Sequence, residues 1–135
     1  MSVGPVVRDA ATDEFFDGTA AGEFLLRRCP AGHVSEPAAT QCTTCAATDL
    51  DWVAAGGGAT LVSWAVSWSR AVAGEVPRQT MLVIGELDEG PWWWTQLDGD
   101  APHISGALAV GRRLRIEFRQ AGDREHEAVP VFVLD

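Results

Sequence analysis

Residues 59–68 read Ala-Thr-Leu-Val-Ser-Trp-Ala-Val-Ser-Trp, and this stretch decides the fold. From Thr60 onward the residues alternate, so that one face carries Val62, Trp64, Val66 and Trp68 and the other carries Ser63, Ala65 and Ser67. A period of two residues is typical of a β-strand, because successive side chains point to opposite faces. We therefore predict a strand from Thr60 to Trp68, with the Trp64 side chain in the core.

Four later segments have the same β character. They are Met81–Leu87, Trp92–Leu97, Arg112–Phe118 and Val129–Leu134. The intervening Asp88-Glu89-Gly90-Pro91 is a turn, which makes the first two segments a hairpin. Pro130 indicates that the last strand lies at an edge of the sheet. A mainly β chain with five strands and glycines at its corners favours a five-stranded OB-fold barrel, although a small β-sandwich fits the same pattern.

Three consecutive glycines at 56–58 break the chain ahead of the barrel. We predict three parts: an N-terminal arm and helix over 1–22, a small zinc-ribbon-like domain over 23–55 and the OB-fold domain over 56–135. In the first part, residues 10–22 predict a short helix that is capped by Asp9 or Thr12 and packs through Phe15 and Phe16.

A Cys and His pattern in the second part is the strongest chemical signal. Cys29 and His33 are separated by three residues, and Cys42 and Cys45 by two. The short Cys-x2-Cys spacing suits a tetrahedral zinc ion, and three Cys with one His form an accepted structural zinc site. Residues 30–47 have no periodic apolar face, so a metal or tight packing must order them. The alternative is that Cys29 is a buried thiol and His33 a solvated loop residue.

Charge and hydropathy limit the partners of the chain. Its 135 residues carry 19 Asp and Glu against ten Arg and no Lys, a formal charge of −9. Such an acidic chain would repel nucleic acid, because phosphate neutralisation dominates that affinity. No apolar run reaches the roughly 18–20 residues that span a bilayer. We expect a cytoplasmic protein with reduced cysteines and no membrane or nucleic-acid partner.

Catalytic motifs are scarce. His103 and His126 lie in loop segments without a neighbouring Ser or Cys that would act as a nucleophile. Glu86, Asp88 and Glu89 are expected to be solvated turn residues. No nucleophile elbow, phosphate-binding loop or dinucleotide fingerprint is found. We therefore assign no catalytic residue.

Consecutive tryptophans are the more informative feature. A strand places Trp92 and Trp94 on one face and Trp93 on the other, so at least one face presents indole. Tryptophan is enriched among the residues that dominate protein interfaces. We take Trp68, Trp92, Trp93 and Trp94 as candidate partner-interface residues, with burial in the barrel as the equally weighted alternative.

In the order of its motifs, the chain resembles the domain-of-unknown-function 35 (DUF35) family, zinc-ribbon and OB-fold proteins associated with acyl-CoA metabolism. The ordered pieces that carry this resemblance are Phe15-Phe16, Leu25-Leu26-Arg27-Arg28-Cys29, Pro37, Cys42-x2-Cys45, Asp49-Leu50-Asp51-Trp52, Gly58–Trp64, Leu87-Asp88-Glu89-Gly90, Trp94-Thr95-Gln96-Leu97, Val110-Gly111 and Val129-Pro130-Val131-Phe132. The family commonly has Cys-x2-Cys followed by Gly in the first half of the metal site. Here Gly32-His33 stands where Cys-Gly is expected, so His33 either replaces the cysteine or the metal has been lost.

The resemblance implies a rubredoxin-like zinc knuckle with structural zinc, followed by an OB barrel. It also implies an accessory subunit, in a hetero-oligomer with a thiolase-, aldolase- or MaoC-like enzyme of steroid or fatty-acyl side-chain metabolism, that helps form the acyl-CoA site. Arg27, Arg28, Arg70 and Arg78 are then the candidates for the phosphates of CoA. Two other functions stay open: a single-stranded nucleic-acid-binding OB module, and a stand-alone acyl-CoA hydratase or thioesterase.

Overall fold

The computed structural model describes residues 3–70, 73–99, 108–122 and 126–135. Its elements are α1 (Asp13–Ala20), β1 (Leu25–Arg28), β2 (Val34–Ser35), β3 (Asp51–Ala54), β4 (Gly58–Trp68), β5 (Gln79–Leu87), β6 (Trp92–Gln96), β7 (Arg113–Gln120) and β8 (Ala128–Leu134). The mainly β fold with one short helix confirms the predicted class.

Strands β4 to β8 form a nearly closed five-stranded barrel. Their order is β6-β5-β4-β7-β8, and every neighbouring pair is antiparallel. The two outer strands meet where Leu97, just after β6, forms a parallel bridge with Phe132 of β8. There the Asp98 N–H donates to the Phe132 carbonyl at 2.8 Å. Pro130 lies in the outer strand β8, as its lack of an N–H donor predicts.

The first three strands form a second sheet in the order β2-β1-β3. Phe24, which precedes β1, and Leu26 within it are buried in the same apolar cluster as Leu61, Leu114 and Phe132 of the barrel. Phe15 and Phe16 of α1 belong to that cluster as well. One hydrophobic core therefore joins the helix, the small sheet and the barrel.

Helix α1 begins later than predicted, at Asp13 instead of residue 10. The Thr12 N–H donates to both the carbonyl and the side-chain Oδ1 of Asp9, at 3.1 and 3.0 Å. These bonds close a turn over residues 9–12, which keeps Ala10 and Ala11 out of the helix. Thr12 is the N-cap residue, but its side chain makes no capping bond to the helix.

Strand β4 extends well beyond the part that pairs with β7. Pairing with β5 is shifted by one residue between Leu61 and Ser63, so Val62 is the extra residue of a β-bulge. Within the described residues, β4 pairs with β7 only over Gly58–Thr60. The remainder of β4 and its partner segment of β5, residues 63–68 and 79–84, we call the ribbon.

The position of Trp64 corrects a prediction. Trp64 pairs with Val83 and so lies on the core-facing side of the sheet, but 39% of its surface is exposed. The alternation predicted the face of Trp64 correctly but not its burial. In the described part of the chain, the pairing of β4 with β7 ends at Thr60, before the strand reaches Trp64. Val66 and Trp68, farther along the ribbon, are exposed too.

Candidate metal centre and interaction faces

The first half of the predicted metal site is a tight turn between β1 and β2. The Gly32 N–H donates to the Cys29 carbonyl at 2.9 Å, and the Cys29 N–H donates to the His33 carbonyl at 3.0 Å. Gly32 has a φ of +90°, a conformation that favours glycine. The turn brings His33 Nδ1 to 3.4 Å from Cys29 Sγ.

The second half is a knuckle around Cys42. The N–H groups of Thr44 and Cys45 both donate to Cys42 Sγ at 3.4 Å. The Cys45 N–H is the main cause that lowers the pKa of Cys42 to about 6, and the Thr44 N–H adds to it against an opposing effect of burial. A thiol with this pKa is largely thiolate at neutral pH, which is the form that binds metal.

The two halves meet in space. The ligand atoms of Cys29, His33, Cys42 and Cys45 all lie within 4.8 Å of one another. Cys45 Sγ is 3.7 Å from Cys29 Sγ, much longer than the S–S bond of about 2.05 Å in a disulfide. Zinc with Zn–S bonds of about 2.3 Å places two tetrahedral sulfurs about 3.8 Å apart. The donor set and its spacing therefore fit a four-coordinate metal, and His33 stands among the cysteines.

The three consecutive tryptophans divide between the two faces of β6, as predicted. Trp93 is half-buried, with its ring centroid 5.0 Å from that of Phe24 and 6.0 Å from that of Phe15. Trp92 and Trp94 lie on the outer face with 57% and 76% of their surface exposed. Among the candidate interface residues, Trp93 thus belongs to the core and the other two to the surface.

An apolar groove of about 450 Å³ runs along the outer face beside Trp94. Leu82, Ile84 and Ala65 line it. Trp68, the fourth candidate interface residue, is 63% exposed near the end of the ribbon.

Sequence reasoning missed Leu82 as part of this surface. The signal was present, because residues 81–84 read Met-Leu-Val-Ile and are apolar on both faces. A strand that is apolar on both faces is normally covered on both.

The four arginines proposed for CoA lie on different elements. Arg27 and Arg28 belong to β1 of the small sheet, whereas Arg70 and Arg78 follow and precede the two strands of the ribbon. Arg27 is occupied within the fold, with its guanidinium carbon 4.2 Å from the Trp52 ring centroid and Nη2 donating to the Leu50 carbonyl at 3.0 Å. A CoA site built from these residues stays a prediction.

The remaining candidates are the acidic turn that contains Asp88 and Glu89 and the two histidines outside the knuckle. Asp88 accepts two bonds from Arg113 at 2.8 and 2.9 Å, and Glu89 Oε2 accepts one from the Gly56 N–H at 2.9 Å. The His126 carbonyl accepts a bond from the Gln120 side chain. His103 lies outside the described residues.

No protein-family model matches the sequence, and no curated protein matches it. Among solved structures, a chain of "Ltp2-ChsH2(DUF35) aldolase" is 26% identical with a TM-score of 0.74, over 94% of this chain and 96% of the other. Over nearly its whole length the chain resembles this DUF35 protein, in agreement with the order of its motifs. A second DUF35 protein, of unknown function from Sulfolobus solfataricus, shares the fold at 14% identity and a TM-score of 0.60, over 93% and 86% of the two chains.

In the described ranges, no helix is both long and apolar enough to cross a membrane.

Proposed function

We propose that this protein is a DUF35-type, non-catalytic accessory subunit of a thiolase- or aldolase-like acyl-CoA enzyme, in a cytoplasmic hetero-oligomer. The observation that supports this most is the likeness, over nearly the whole of both chains, to a chain of the Ltp2-ChsH2(DUF35) aldolase. That structure is of a DUF35 protein together with an aldolase, and here we extend the same kind of partnership to this chain.

The outer face of β5 and β6 is the proposed docking surface. Trp92, Trp94 and Leu82 are exposed there, and the groove beside them is almost entirely apolar. Isolated apolar side chains are common on surfaces, but a contiguous patch with two indoles is typical of an interface. Trp68, on the opposite face of the ribbon, is exposed as well and is proposed as a separate contact with the partner.

The knuckle is proposed to hold a structural zinc ion. Cys29, His33, Cys42 and Cys45 would fill all four positions of a tetrahedral site. Zinc bound in this way has no open position for a substrate, so it would stabilise the fold and carry no chemistry.

A contribution to the acyl-CoA site is the finer part of the proposal. Arg28 and Arg70 have exposed side chains that an adjacent ligand could reach. Phosphate groups of CoA would find guanidinium groups there, and Arg is suited to such contacts. The acyl group would then lie on the partner enzyme, which would supply the catalytic residues.

Co-expression with the thiolase-like product of an adjacent gene tests the docking surface. We expect one peak on gel filtration that contains both chains, and separation of the two when Trp92 and Trp94 are both changed to Ser. Val7→Ser is the matched control, because Val7 is an exposed apolar residue of the N-terminal arm away from the outer face. Wild-type chains that elute separately would contradict the proposal.

The same preparation separates the alternatives. A stand-alone hydratase or thioesterase would turn over acyl-CoA without a partner and would lose this activity in His103→Ala or His126→Ala. A nucleic-acid-binding module would retain oligonucleotide with an affinity that falls steeply with salt. Either result, with no complex formed, would replace the accessory role.

A further inference from the structure

A second cavity, of about 710 Å³, lies on the side of β6 opposite the outer groove. Its lining comes from α1, the loop at residues 37–40, β1, β3, β6 and β8. Most of the wall is apolar and includes Phe15, Phe16, Trp52, Trp93 and Val129. Pockets for small ligands have roughly 300–1,000 Å³ and this kind of wall, with a few polar groups that fix orientation.

Arg27 supplies the positive charge of this wall. Its guanidinium stacks on Trp52 and donates to the Leu50 carbonyl, and within the described ranges it forms no ion pair with any carboxylate. Its Nε is shut off from solvent and has no hydrogen-bond acceptor. Arginine in a partly buried place is normally paired with an anion, since burying an uncompensated charge is costly.

Trp93 adds a second buried donor that has no hydrogen-bond acceptor. Its Nε1–H is buried without an acceptor, and Trp93 lines the same cavity as Arg27. Leaving a buried donor unpaired costs about 1–3 kcal/mol, and buried donors in folded proteins are almost always satisfied. Arg27 and Trp93 thus place two donors without an acceptor among the residues that line one cavity.

We infer that this cavity binds a small monocarboxylate with an apolar, ring-sized body. A carboxylate matches the planar fork of one guanidinium and carries one charge, whereas a phosphate dianion would call for more than the single cation that the wall contains. The aromatic side chains would enclose the body of the ligand. Thr12, Thr40 and Thr95 are the other polar residues of the wall.

This site does not depend on the proposed accessory role. Trp93 and Trp94 point to opposite faces of β6, so a ligand beside Trp93 and a protein on Trp94 occupy different sides of the sheet. Binding of a carboxylate can therefore be measured on the isolated chain, and its failure would leave the docking proposal untouched.

The test uses cinnamate as the probe and cinnamamide as its neutral match. Titration into isotope-labelled full-length protein, followed through the indole N–H and arginine Nε–H resonances, should shift Trp93 and Arg27 and leave Trp92 and Trp94 in place. We expect Arg27→Met to weaken cinnamate binding about tenfold or more, as the loss of a charge-assisted pair predicts. Arg112→Met is the matched control, because Arg112 is exposed and does not line the cavity.

Arg27→Lys is a second variant in case Arg27→Met does not fold. It keeps the charge above Trp52 and loses only the planar guanidinium group. It should bind more weakly than wild type and more tightly than Arg27→Met. Equal affinity for cinnamate and cinnamamide, no shift of Trp93, or an unchanged affinity in both Arg27 variants would overturn the inference. Tighter binding at Trp93 of phenyl phosphate or of the cinnamoyl-CoA thioester than of cinnamate would overturn the carboxylate assignment.

Discussion

Gly85 of β5 faces the ring of Phe132 of β8 so closely that a Cβ atom at position 85 would lie 2.8 Å from Cζ of that ring. Phe132 is fully buried and also forms the bridge to Leu97 that brings the outer strands of the barrel together. Because Gly85 has no side chain, the Phe132 ring can occupy the space beside it.

Replacing Gly85 with Ala should therefore destabilise the protein. The ring cannot move away without disturbing the packed core, and overpacking of this kind costs about 1–3 kcal/mol. Chemical unfolding monitored by tryptophan fluorescence measures the change. Gly4→Ala is the control, because a Cβ atom at Gly4 would meet nothing within 4 Å. Equal stability of the two variants would mean that the Phe132 ring has room to shift.

The knuckle predicts a metal-dependent stability. Cys42→Ser should abolish zinc binding and lower the free energy of unfolding by several kcal/mol, because structural zinc binding contributes directly to folding. Metal analysis and chemical unfolding on the same samples check both effects. Thr43→Ser, at the adjacent exposed position, should retain the metal. Wild-type protein purified without chelator that contains no zinc would argue against the site.

Two neighbouring tryptophans should differ in their effect on stability. Trp93→Ala should cost roughly 3 kcal/mol, since it removes a ring packed on Phe15 and Phe24. Trp94→Ala should stay within about 0.5 kcal/mol of wild type, as exposed positions usually do. Thermal and chemical unfolding of the isolated chain make the comparison. A large loss in Trp94→Ala would show that the outer indole supports the fold of the chain itself.

The pair of Asp88 and Arg113 predicts a pH dependence below the usual carboxyl range. The two bonds from Arg113 hold the pKa of Asp88 below its ordinary value of about 3.9, against an opposing effect of burial. Because the unfolded chain takes up the proton first, the contribution of the pair is present above about pH 4 and is lost as the pH falls through the lowered pKa. Both side chains are about half exposed, so the contribution at neutral pH is below about 1 kcal/mol.

Asp88→Asn is therefore expected to be less stable than wild type at neutral pH, by a margin that narrows as the pH is lowered from about 4 toward 2. Unfolding measured at neutral pH and at about pH 2 gives the difference, and the same substitution in an Arg113→Gln background should show no pH-dependent part. A stability difference that is the same at both pH values would assign the effect to packing.

Much of the barrel could be predicted because its pattern is local. Alternation located the five strands, and the turn at 88–91 joined two of them into a hairpin. The three successive tryptophans were assigned to the correct faces for the same reason. In the knuckle, ligand chemistry and short spacing sufficed to name four residues that the fold brings within 4.8 Å.

The rest depends on contacts between distant segments. The exposure of Trp64 follows from where β7 stops pairing with β4, and residue 64 itself carries no sign of that limit. The stack of Arg27 on Trp52 requires the pairing of β1 with β3, which are separated by more than twenty residues. The cavity beside Trp93 is enclosed by segments from both ends of the chain, so no local pattern predicts it.

The continuous core has a practical meaning for anyone who would engineer this chain. The side chains of Phe24 and Leu26 project from the small sheet and pack among barrel residues. A cut at the triple glycine would therefore expose apolar surface on both products. A chimera that takes its knuckle from a relative must therefore import those two positions together with their contacts. Recombination at that linker during evolution would meet the same restriction, because it would separate two halves whose buried side chains pack against each other.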